Sequence, residues 1–153
     1  MRAANNGGTV LFIHPMNDEE KSHIMCPPYW VPILKALTPG RWKTLYINTG
    51  FERVSNSALQ NSDIVAMSIY TSAAPKAYEI ARRAMESGAY VVLGGIHTFL
   101  FPEEALENAH TIMVGEGEGM WREFLRDYEE GSPKKVYVGG LSSLKGLLCP
   151  ISQ

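Results

Sequence analysis

Two apolar runs that each end in closely spaced glycines constrain the fold of this chain more than any other feature. Tyr90–Leu93 is followed by Gly94-Gly95, and Thr111–Val114 is followed by Gly115–Gly117. Uninterrupted runs of this length are typical of strands buried on both faces of a parallel sheet. Glycine at the carboxyl end of such a strand permits a positive φ and leaves room for a bulky ligand. The pair predicts a ligand crevice; the alternative is that these glycines only form tight turns.

The remaining apolar runs predict a doubly wound α/β domain. Three further strands are expected at Thr9–His14, Trp42–Asn48 and Asp63–Tyr70, and a short sixth strand at Lys134–Val138 is left open. Helices alternate with these strands, which makes right-handed βαβ units and a parallel sheet. We therefore expect three α/β/α layers around a five-stranded sheet of flavodoxin-like or Rossmann-like order 2-1-3-4-5. The helices are expected near residues 28–40, 55–60, 73–87 (with Thr71-Ser72 as its N-cap), 102–109 and 119–131.

The length and composition favour one globular domain. The chain has 153 residues, of which 45% are hydrophobic and 20% charged, enough for a sizeable core. We expect residues 1–8 to be a disordered leader and residues 9–138 to form the domain. Residues 139–153 carry no strong pattern and are expected to be a tail or a truncated linker.

Charge and hydropathy argue against several classes of partner. A net charge of −2 gives no electrostatic footprint for nucleic acid or an anionic membrane. No apolar run approaches the roughly 20 residues that span a bilayer, and the N-terminus lacks the apolar core of a signal peptide. We therefore expect a cytoplasmic protein. Its two cysteines, Cys26 and Cys149, are expected to be free thiols and form no CxxxCxxC motif.

Four loops are expected to share the rim of the sheet at its carboxyl edge. They begin near Pro15, at Ser68–Ser72, at Gly94–His97 and at Gly115–Glu118, with the topological switch point between the first and third strands. The chain contains no GxxxxGKS/T, HExxH or GxSxG motif. Glu116 and Glu118 can be interpreted as an acid–base pair or as a solvated loop. His97 is expected either to face a ligand or to have a surface or backbone-bonded role. The residues alone predict a crevice for a small molecule or cofactor.

The order of these features resembles the cobalamin-binding domain found at the N-terminus of B12-dependent radical SAM enzymes. The similarity extends over most of residues 9–130. It is carried by His14-Pro15, Cys26-Pro27-Pro28, Asp63–Ser68, Val91–His97, Phe101–Leu106 and Gly115–Glu118, in that order. The resemblance implies a corrinoid across the rim, with its nucleotide tail in the crevice of the sheet. A bulky planar cofactor needs bare backbone and a few polar partners, which agrees with this composition.

The resemblance also implies which residues bind the cofactor. Ser68 and Thr71 match serine and threonine positions near the tail, and Gly94-Gly95 matches the loop that the tail must pass. Gly115–Gly117 matches the loop at the far end of the tail. The implied cofactor-binding set is Pro15, Ser68, Tyr70, Thr71, Gly94, Gly95, His97, Gly115, Glu116 and Gly117.

Two motifs of related proteins are absent from the sequence. The DxHxxG motif that supplies a histidine ligand to cobalt is missing, which leaves His14 or His23 as the candidate ligand. Without CxxxCxxC, an iron–sulfur cluster and S-adenosylmethionine would require a further domain. The resemblance therefore implies a module that is non-catalytic alone and serves methyl transfer with a radical SAM domain or methyltransferase partner.

Two other functional classes remain open from the sequence. One is a cofactor-free sensor or protein-interaction module on the same fold. The other is a flavodoxin-like or nucleotide-binding enzyme, which the missing phosphate loop disfavours.

Overall fold

A six-stranded parallel sheet forms the middle of the molecule. The computed structural model describes residues 7–19 and 28–140. The strands lie side by side in the order β2-β1-β3-β4-β5-β6, so the chain reverses direction across the sheet between β1 and β3. Their bounds are β1 Thr9–His14, β2 Lys43–Asn48, β3 Ile64–Ser68, β4 Tyr90–Gly94, β5 Thr111–Gly115 and β6 Val136–Gly139.

In the described part of the chain, six helices connect or follow these strands, together with a 3₁₀ turn at Thr71–Ala73. The helices are α1 Trp30–Leu37, α2 Asn56–Gln60, α3 Ala74–Glu86, α4 Ile96–Leu100, α5 Pro102–Glu107 and α6 Gly117–Glu129. Pro32 lies in the first turn of α1, where a missing N–H leaves no bond unmade. Ser55 caps α2, because its hydroxyl accepts a hydrogen bond from the Ala58 N–H.

Two apolar clusters, one on each face of the sheet, hold the three layers together. Alternate residues of each strand point to opposite faces, so neighbours such as Leu11 and Phe12 enter different clusters. On one face the strands pack against α2, α3 and α5 through Leu59, Ile80 and Ala105. The other face packs against α1 and α6 through aromatic and aliphatic side chains, among them Leu34, Trp121 and Phe124.

The predicted α/β/α architecture and strand order are confirmed, with a sixth strand completing the sheet. β6 pairs in parallel with β5 through partners such as Val114 and Val138. The sequence left this strand open at Lys134–Val138, because four residues beside lysines and glycines show little alternation. The position of β2 at one edge agrees with its alternating pattern.

The structure differs from the sequence predictions at three places. Thr71-Ser72 does not cap α3; these residues form the 3₁₀ turn, and the helix begins at Ala74 because Pro75 suits its first turn. Helix α4 was not predicted, since five residues are too few to establish a helical period. Helix α6 begins at Gly117, two residues earlier than expected, and Glu118 lies favourably in its positive first turn.

The predicted leader and tail lie mostly outside the described residues. At the described start, the Gly8 carbonyl accepts a hydrogen bond from the Lys43 N–H and so joins the sheet. At the other end, Gly139 pairs with Gly115. Within the two described segments the longest helices have 13 residues, and none has the length and hydropathy that crossing a bilayer requires.

Candidate functional site

A cavity of about 240 Å³ opens at the carboxyl ends of β3, β4 and β5, on the face covered by α1 and α6. Roughly 150 Å³ is enough to hold benzene, so this cavity has room for a two-ring group but not for a whole macrocycle. A larger ligand can therefore insert only an appendage here. The lining residues are Trp30, Leu34, Ala66, Met67, Ser68, Val92, Gly94, Gly95, Met113, Gly115, Glu116, Gly117, Glu118 and Trp121.

The floor of the cavity is apolar because it is the end of the core on that face. Ala66, Val92 and Met113 point from three neighbouring strands into the cluster packed against α1 and α6. Trp30 and Trp121 supply flat aromatic walls from the two helices. The polar part of the lining consists of the side chains of Ser68, Glu116 and Glu118 and the backbone amides of the glycine loops.

Two glycines leave the cavity open by lacking a side chain. Gly94 follows Val92 by two residues and so faces the same side of β4. A Cβ at Gly94 would touch only Met113, at 3.7 Å, and a Cβ at Gly117 would touch only Leu34 Cδ2, at 3.9 Å. Both are ordinary van der Waals separations, so a larger side chain at either position would have to grow into the cavity.

Two other glycines of these loops are required by the backbone itself. Gly95 has φ of +94°, and a Cβ there would lie 2.5 Å from the Ile69 nitrogen. Gly115 has φ of +107°, and its Cβ would overlap the carbonyl oxygen of Gly139. Both conformations favour glycine whether or not a ligand is present. These two glycines therefore shape the mouth of the cavity by setting the path of the backbone, not by leaving space where a side chain would be.

Two buried ring nitrogens near this face have no hydrogen-bond partner within the described residues. They are Trp30 Nε1 and His14 Nδ1. By contrast, Trp121 Nε1 donates to Thr38 Oγ1 at 2.8 Å. His14 ends β1 with its ring only 2% exposed and edge-on to Tyr70, at 6.0 Å between ring centroids. Burial lowers the pKa of His14, so its ring is neutral in the folded protein near pH 7.

His97 lies on the opposite face of the sheet and is held by three partners. Its Nε2 is 3.0 Å from Glu104 Oε1 and 3.0 Å from the Tyr78 hydroxyl, and its Nδ1 is 3.3 Å from Thr71 Oγ1. Hydrogen bonds from His97 and then from Tyr78 lower the pKa of Glu104. Burial, reinforced by the bond to Glu104, raises the pKa of Tyr78. His97 therefore belongs to a polar network beneath the rim.

The structure brings six of the ten predicted cofactor-binding residues together around the cavity. They are Ser68, Gly94, Gly95, Gly115, Glu116 and Gly117. Pro15, Tyr70, Thr71 and His97 follow the ends of β1, β3 and β4 at the same edge of the sheet but do not line the cavity. His23, the other candidate cobalt ligand, lies outside the described residues.

An opening was expected at the switch point between β1 and β3, but the cavity lies at the ends of β3, β4 and β5. At the carboxyl end of β1, His14 and Met16 are each 2% exposed, so their side chains fill that position. The Met16 N–H also donates to Thr49 Oγ1 at 2.8 Å, which ties the loop after β1 to the end of β2. The opening therefore lies to one side of the switch point.

The apolar residues of the lining were not predicted from the sequence. Trp30 and Leu34 are four residues apart on α1 and so share one face, while Met113 is two residues from Gly115 on β5. Trp121 is fully buried in the core and also lines the cavity. Strand alternation could have identified Met113, because a residue two positions before a strand-terminal glycine points to the same face of the sheet as that glycine.

Large apolar side chains are exposed on the loops of the carboxyl edge. Four of the six form a ridge along α4 and the residue after it. The set is Phe51, Tyr70, Ile96, Phe99, Leu100 and Phe101, and Tyr29 precedes α1 at the same edge. The other exposed large apolar residues of the described segments lie on α1 and on the edge strands β2 and β6. This concentration is typical of a surface that is covered by a ligand or partner.

Within residues 7–19 and 28–140, no three His, Cys, Asp or Glu side chains are grouped to hold a metal ion.

Comparison with known proteins identifies a matching family. The family model described as B12 binding domain matches residues 23–125. This match covers β2 to β5 and most of α6, including the three strands whose carboxyl ends surround the cavity.

Two curated relatives come from Chlorobaculum tepidum. Bacteriochlorophyllide d C-8(2)-methyltransferase is 34% identical over 105 residues, which is 69% of this chain and 23% of that protein. Bacteriochlorophyllide d C-12(1)-methyltransferase is 36% identical over 75 residues, which is 49% of this chain and 16% of that protein. The matched region thus spans less than a quarter of either relative's length.

Among solved structures, the N-terminal domain of a hypothetical protein from Thermotoga maritima is similar to this chain. The alignment covers 57% of this chain and 74% of that one, with 24% identity and a TM-score of 0.46.

Proposed function

The chain belongs to the B12-binding domain family, and from this premise we propose that it binds a corrinoid whose nucleotide tail occupies the cavity beside β3, β4 and β5. The observation that carries the proposal is the opening left by Gly94 and Gly117 above an apolar, aromatic-walled floor. A heteroaromatic base on a narrow linker fits such a space, whereas the corrin ring is too large and would remain outside.

The residues at the mouth suit the polar part of such a tail. Ser68 offers a hydroxyl, and the loops at Gly94-Gly95 and Gly115–Gly117 offer main chain that a ligand can approach closely. We propose these residues, with Glu116, as the contacts of the nucleotide tail. Tyr70 and Thr71 are proposed as rim contacts, and Pro15 and His97 as residues that hold the loops behind them.

The bound corrinoid would supply the methyl-carrying chemistry of the cobalt ion, and the protein would bind it and shield it. His14 is only 2% exposed and its Nδ1 is buried, so a bond from His14 to cobalt would have to come from Nε2. His23 remains a candidate ligand. The exposed apolar residues around Phe99 would then be covered by the corrin and by a partner surface.

The relatives suggest the system in which this module acts. Both curated relatives are methyltransferases, and each is much longer than the matched region. We propose that this module presents its corrinoid to a methyltransferase of the radical SAM type, in the cytoplasm. The iron–sulfur cluster and S-adenosylmethionine would belong to that partner or to a further domain, because the 153 residues contain no CxxxCxxC motif.

Direct binding of hydroxocobalamin tests the proposal. Purified protein is mixed with hydroxocobalamin at micromolar concentration and gel-filtered, and the corrinoid absorbance of the protein peak is measured. We expect a coloured peak with close to one corrinoid per chain. Cobinamide, which lacks the nucleotide tail, should bind much more weakly, because it leaves the cavity unfilled.

A colourless protein peak would contradict the proposal and favour the cofactor-free sensor or interaction module. Equal binding of cobalamin and cobinamide would retain a corrinoid at the rim but contradict the assignment of the tail to this cavity. Flavin absorbance in the purified protein would favour the flavodoxin-like alternative.

A further inference from the structure

The outer side of β2 is an open edge of the sheet, with no strand of the described residues beside it. β2 stands first in the sheet order, and all six of its residues pair with β1 in one uninterrupted register. The Lys43 N–H donates to the Gly8 carbonyl at 2.8 Å on the inner side. Because successive residues of a strand turn their backbone groups to alternate sides, those of Thr44 and Tyr46 point outward. This edge can therefore accept one more strand.

The residues of β2 do little to protect this edge. Natural edge strands are commonly blunted by a proline, a bulge or a charge. Residues 43–48 contain no proline and no bulge, and their one charged residue, Lys43, is the first of the strand. Leu45 is 36% exposed on one face of the sheet and Tyr46 is 39% exposed on the other. A long, even and partly apolar edge is typical of a strand that pairs with another chain.

Charges of opposite sign lie at the two ends of β2. Lys43 is exposed at the amino end, and Glu52 is exposed in the turn that follows the carboxyl end. Burial raises the pKa of the Tyr46 hydroxyl, and the nearby Glu52 carboxylate raises it further, which places Glu52 beside the strand. An antiparallel copy of β2 would therefore set the positive end of each strand beside the negative end of the other.

The opposite edge of the sheet, formed by β6, is less suited to pairing. β6 has four residues and ends at Gly139, and a glycine weakens a strand because it has no side chain to pack. Lys134 and Lys135 immediately precede it. A short strand flanked by lysines is typical of an edge that stays unpaired.

We propose that β2 pairs with β2 of a second copy of this chain, antiparallel and about a two-fold axis at Tyr46, so that the two sheets become one. Tyr46 then faces Tyr46 of the second copy on one face of the sheet, and Leu45 faces Ile47 of the second copy on the other. Lys43 lies next to the turn that carries Glu52 of the second copy. The cavity lies beside β3, β4 and β5, so the inference does not rest on the proposed function.

The expected strength of this association follows from the size of the contact. Stable protein interfaces bury about 1,200–2,000 Å² in total, and one pair of six-residue strands falls below that range. We therefore expect a weak dimer, with a Kd of about 10–100 µM.

Sedimentation equilibrium of the purified chain over about 1–500 µM measures the association. The central variant is Tyr46→Lys, which puts two like charges on the axis. Its matched control is Val138→Lys, the same change at an exposed residue of β6. We expect Tyr46→Lys to weaken the dimer at least about tenfold and Val138→Lys to match the wild type. Circular dichroism and thermal unfolding check that each variant is folded.

A charge exchange tests the antiparallel direction of the two strands. Lys43→Glu and Glu52→Lys should each weaken the dimer about fivefold at low salt, because the two-fold axis places two like-charged pairs in the contact. The double variant that carries both changes should recover the wild-type Kd.

Three results would overturn the inference. One is a wild type that remains monomeric at about 500 µM. Another is a dimer that Tyr46→Lys leaves intact, and if Val138→Lys then disrupts it, the contact belongs to β6. The third is a double charge variant that dimerises no better than the two single variants. None of these measurements includes a corrinoid, so their outcome is independent of cobalamin binding.

Discussion

The loop after β4 meets the two faces of the sheet in opposite ways. Toward α1 and α6 it presents Gly94, a residue without a side chain, to a cavity of about 240 Å³. Toward α3 and α5 it sends His97, whose ring is buried and bound to three side chains. The loop thus leaves space on one face of the sheet and makes polar contacts on the other. An open pocket beside a rigid support is what a preformed ligand site requires.

The same contrast separates neighbouring glycines. Gly94 has ordinary space around a built Cβ, whereas Gly95 has positive φ and contacts backbone too closely for any side chain. These two adjacent glycines are therefore required for different reasons. Gly94 keeps the cavity open, and Gly95 lets the chain turn from β4 into α4.

The largest effect on stability is expected from substitution of Gly95. Gly95→Val should lower the free energy of unfolding by about 3 kcal/mol or more, because φ of +94° and a Cβ 2.5 Å from the Ile69 nitrogen both oppose a side chain. Gly94→Val should cost less than half of that. Urea denaturation of both variants measures the difference. Equal losses would show that the two positions are not distinct in the way described.

A smaller difference is expected between the two tryptophans of the cavity wall. Trp121→Phe should lower the free energy of unfolding by about 2 kcal/mol, because it removes buried volume and the 2.8 Å bond to Thr38. Trp30→Phe should cost less than about 1 kcal/mol, since Trp30 Nε1 has no partner within the described residues and the ring borders open space. Urea midpoints provide the measurement, and a larger loss for Trp30→Phe would contradict this account of the wall.

The smallest effect is a pH dependence that arises away from the cavity. His110 precedes β5 at the amino edge, where its Nδ1 accepts the Val91 N–H at 2.9 Å and its ring stacks on Tyr90. Burial lowers the pKa of His110 from its usual 6.5. Below about pH 6.5 the unfolded chain therefore binds a proton that the folded chain does not, and stability falls as the pH falls.

His110→Asn tests this assignment, because an asparagine oxygen can accept the same N–H without titrating. Urea unfolding between pH 7 and pH 5 should show a shallower loss of stability in the variant than in the wild type. Cobalamin affinity at pH 7 should be unchanged, since His110 lies at the opposite edge of the sheet. An unchanged pH profile in the variant would assign the dependence to other groups.

Periodicity predicted the architecture because each strand carries its own signal. Buried runs such as Thr9–His14 and Thr111–Val114 appear at or within one residue of their predicted bounds, and the strand order reverses at β1 as predicted for a doubly wound sheet. Short elements and element boundaries were predicted less well, because a few residues show little periodicity and a single neighbouring residue can determine where an element begins. Pro75 decided where α3 begins, and helix α4 is too brief to show a period.

The sequence predicted the site at positions where glycine leaves space, because glycines at strand ends are visible in the sequence. Gly94 and Gly117 stand out in the sequence and lie at the cavity, whereas Trp30 and Leu34 reach it only because α1 crosses that part of the sheet. Helix placement depends on packing between distant residues, such as Trp30 on Phe12, and no local pattern reports it. The partners of His97 were hidden for the same reason, since Tyr78 and Glu104 lie on two other helices.

The most direct test of the cavity as the site of the nucleotide tail is one pair of matched variants. Gly94→Leu places a side chain in the cavity, and Gly40→Leu adds the same side chain in open space at the amino edge. The affinity of each purified variant for hydroxocobalamin is measured by absorbance titration beside the wild type. We expect Gly94→Leu to bind about 100-fold more weakly and Gly40→Leu to match the wild type. Wild-type affinity in a folded Gly94→Leu variant would contradict the assignment of the tail to this cavity.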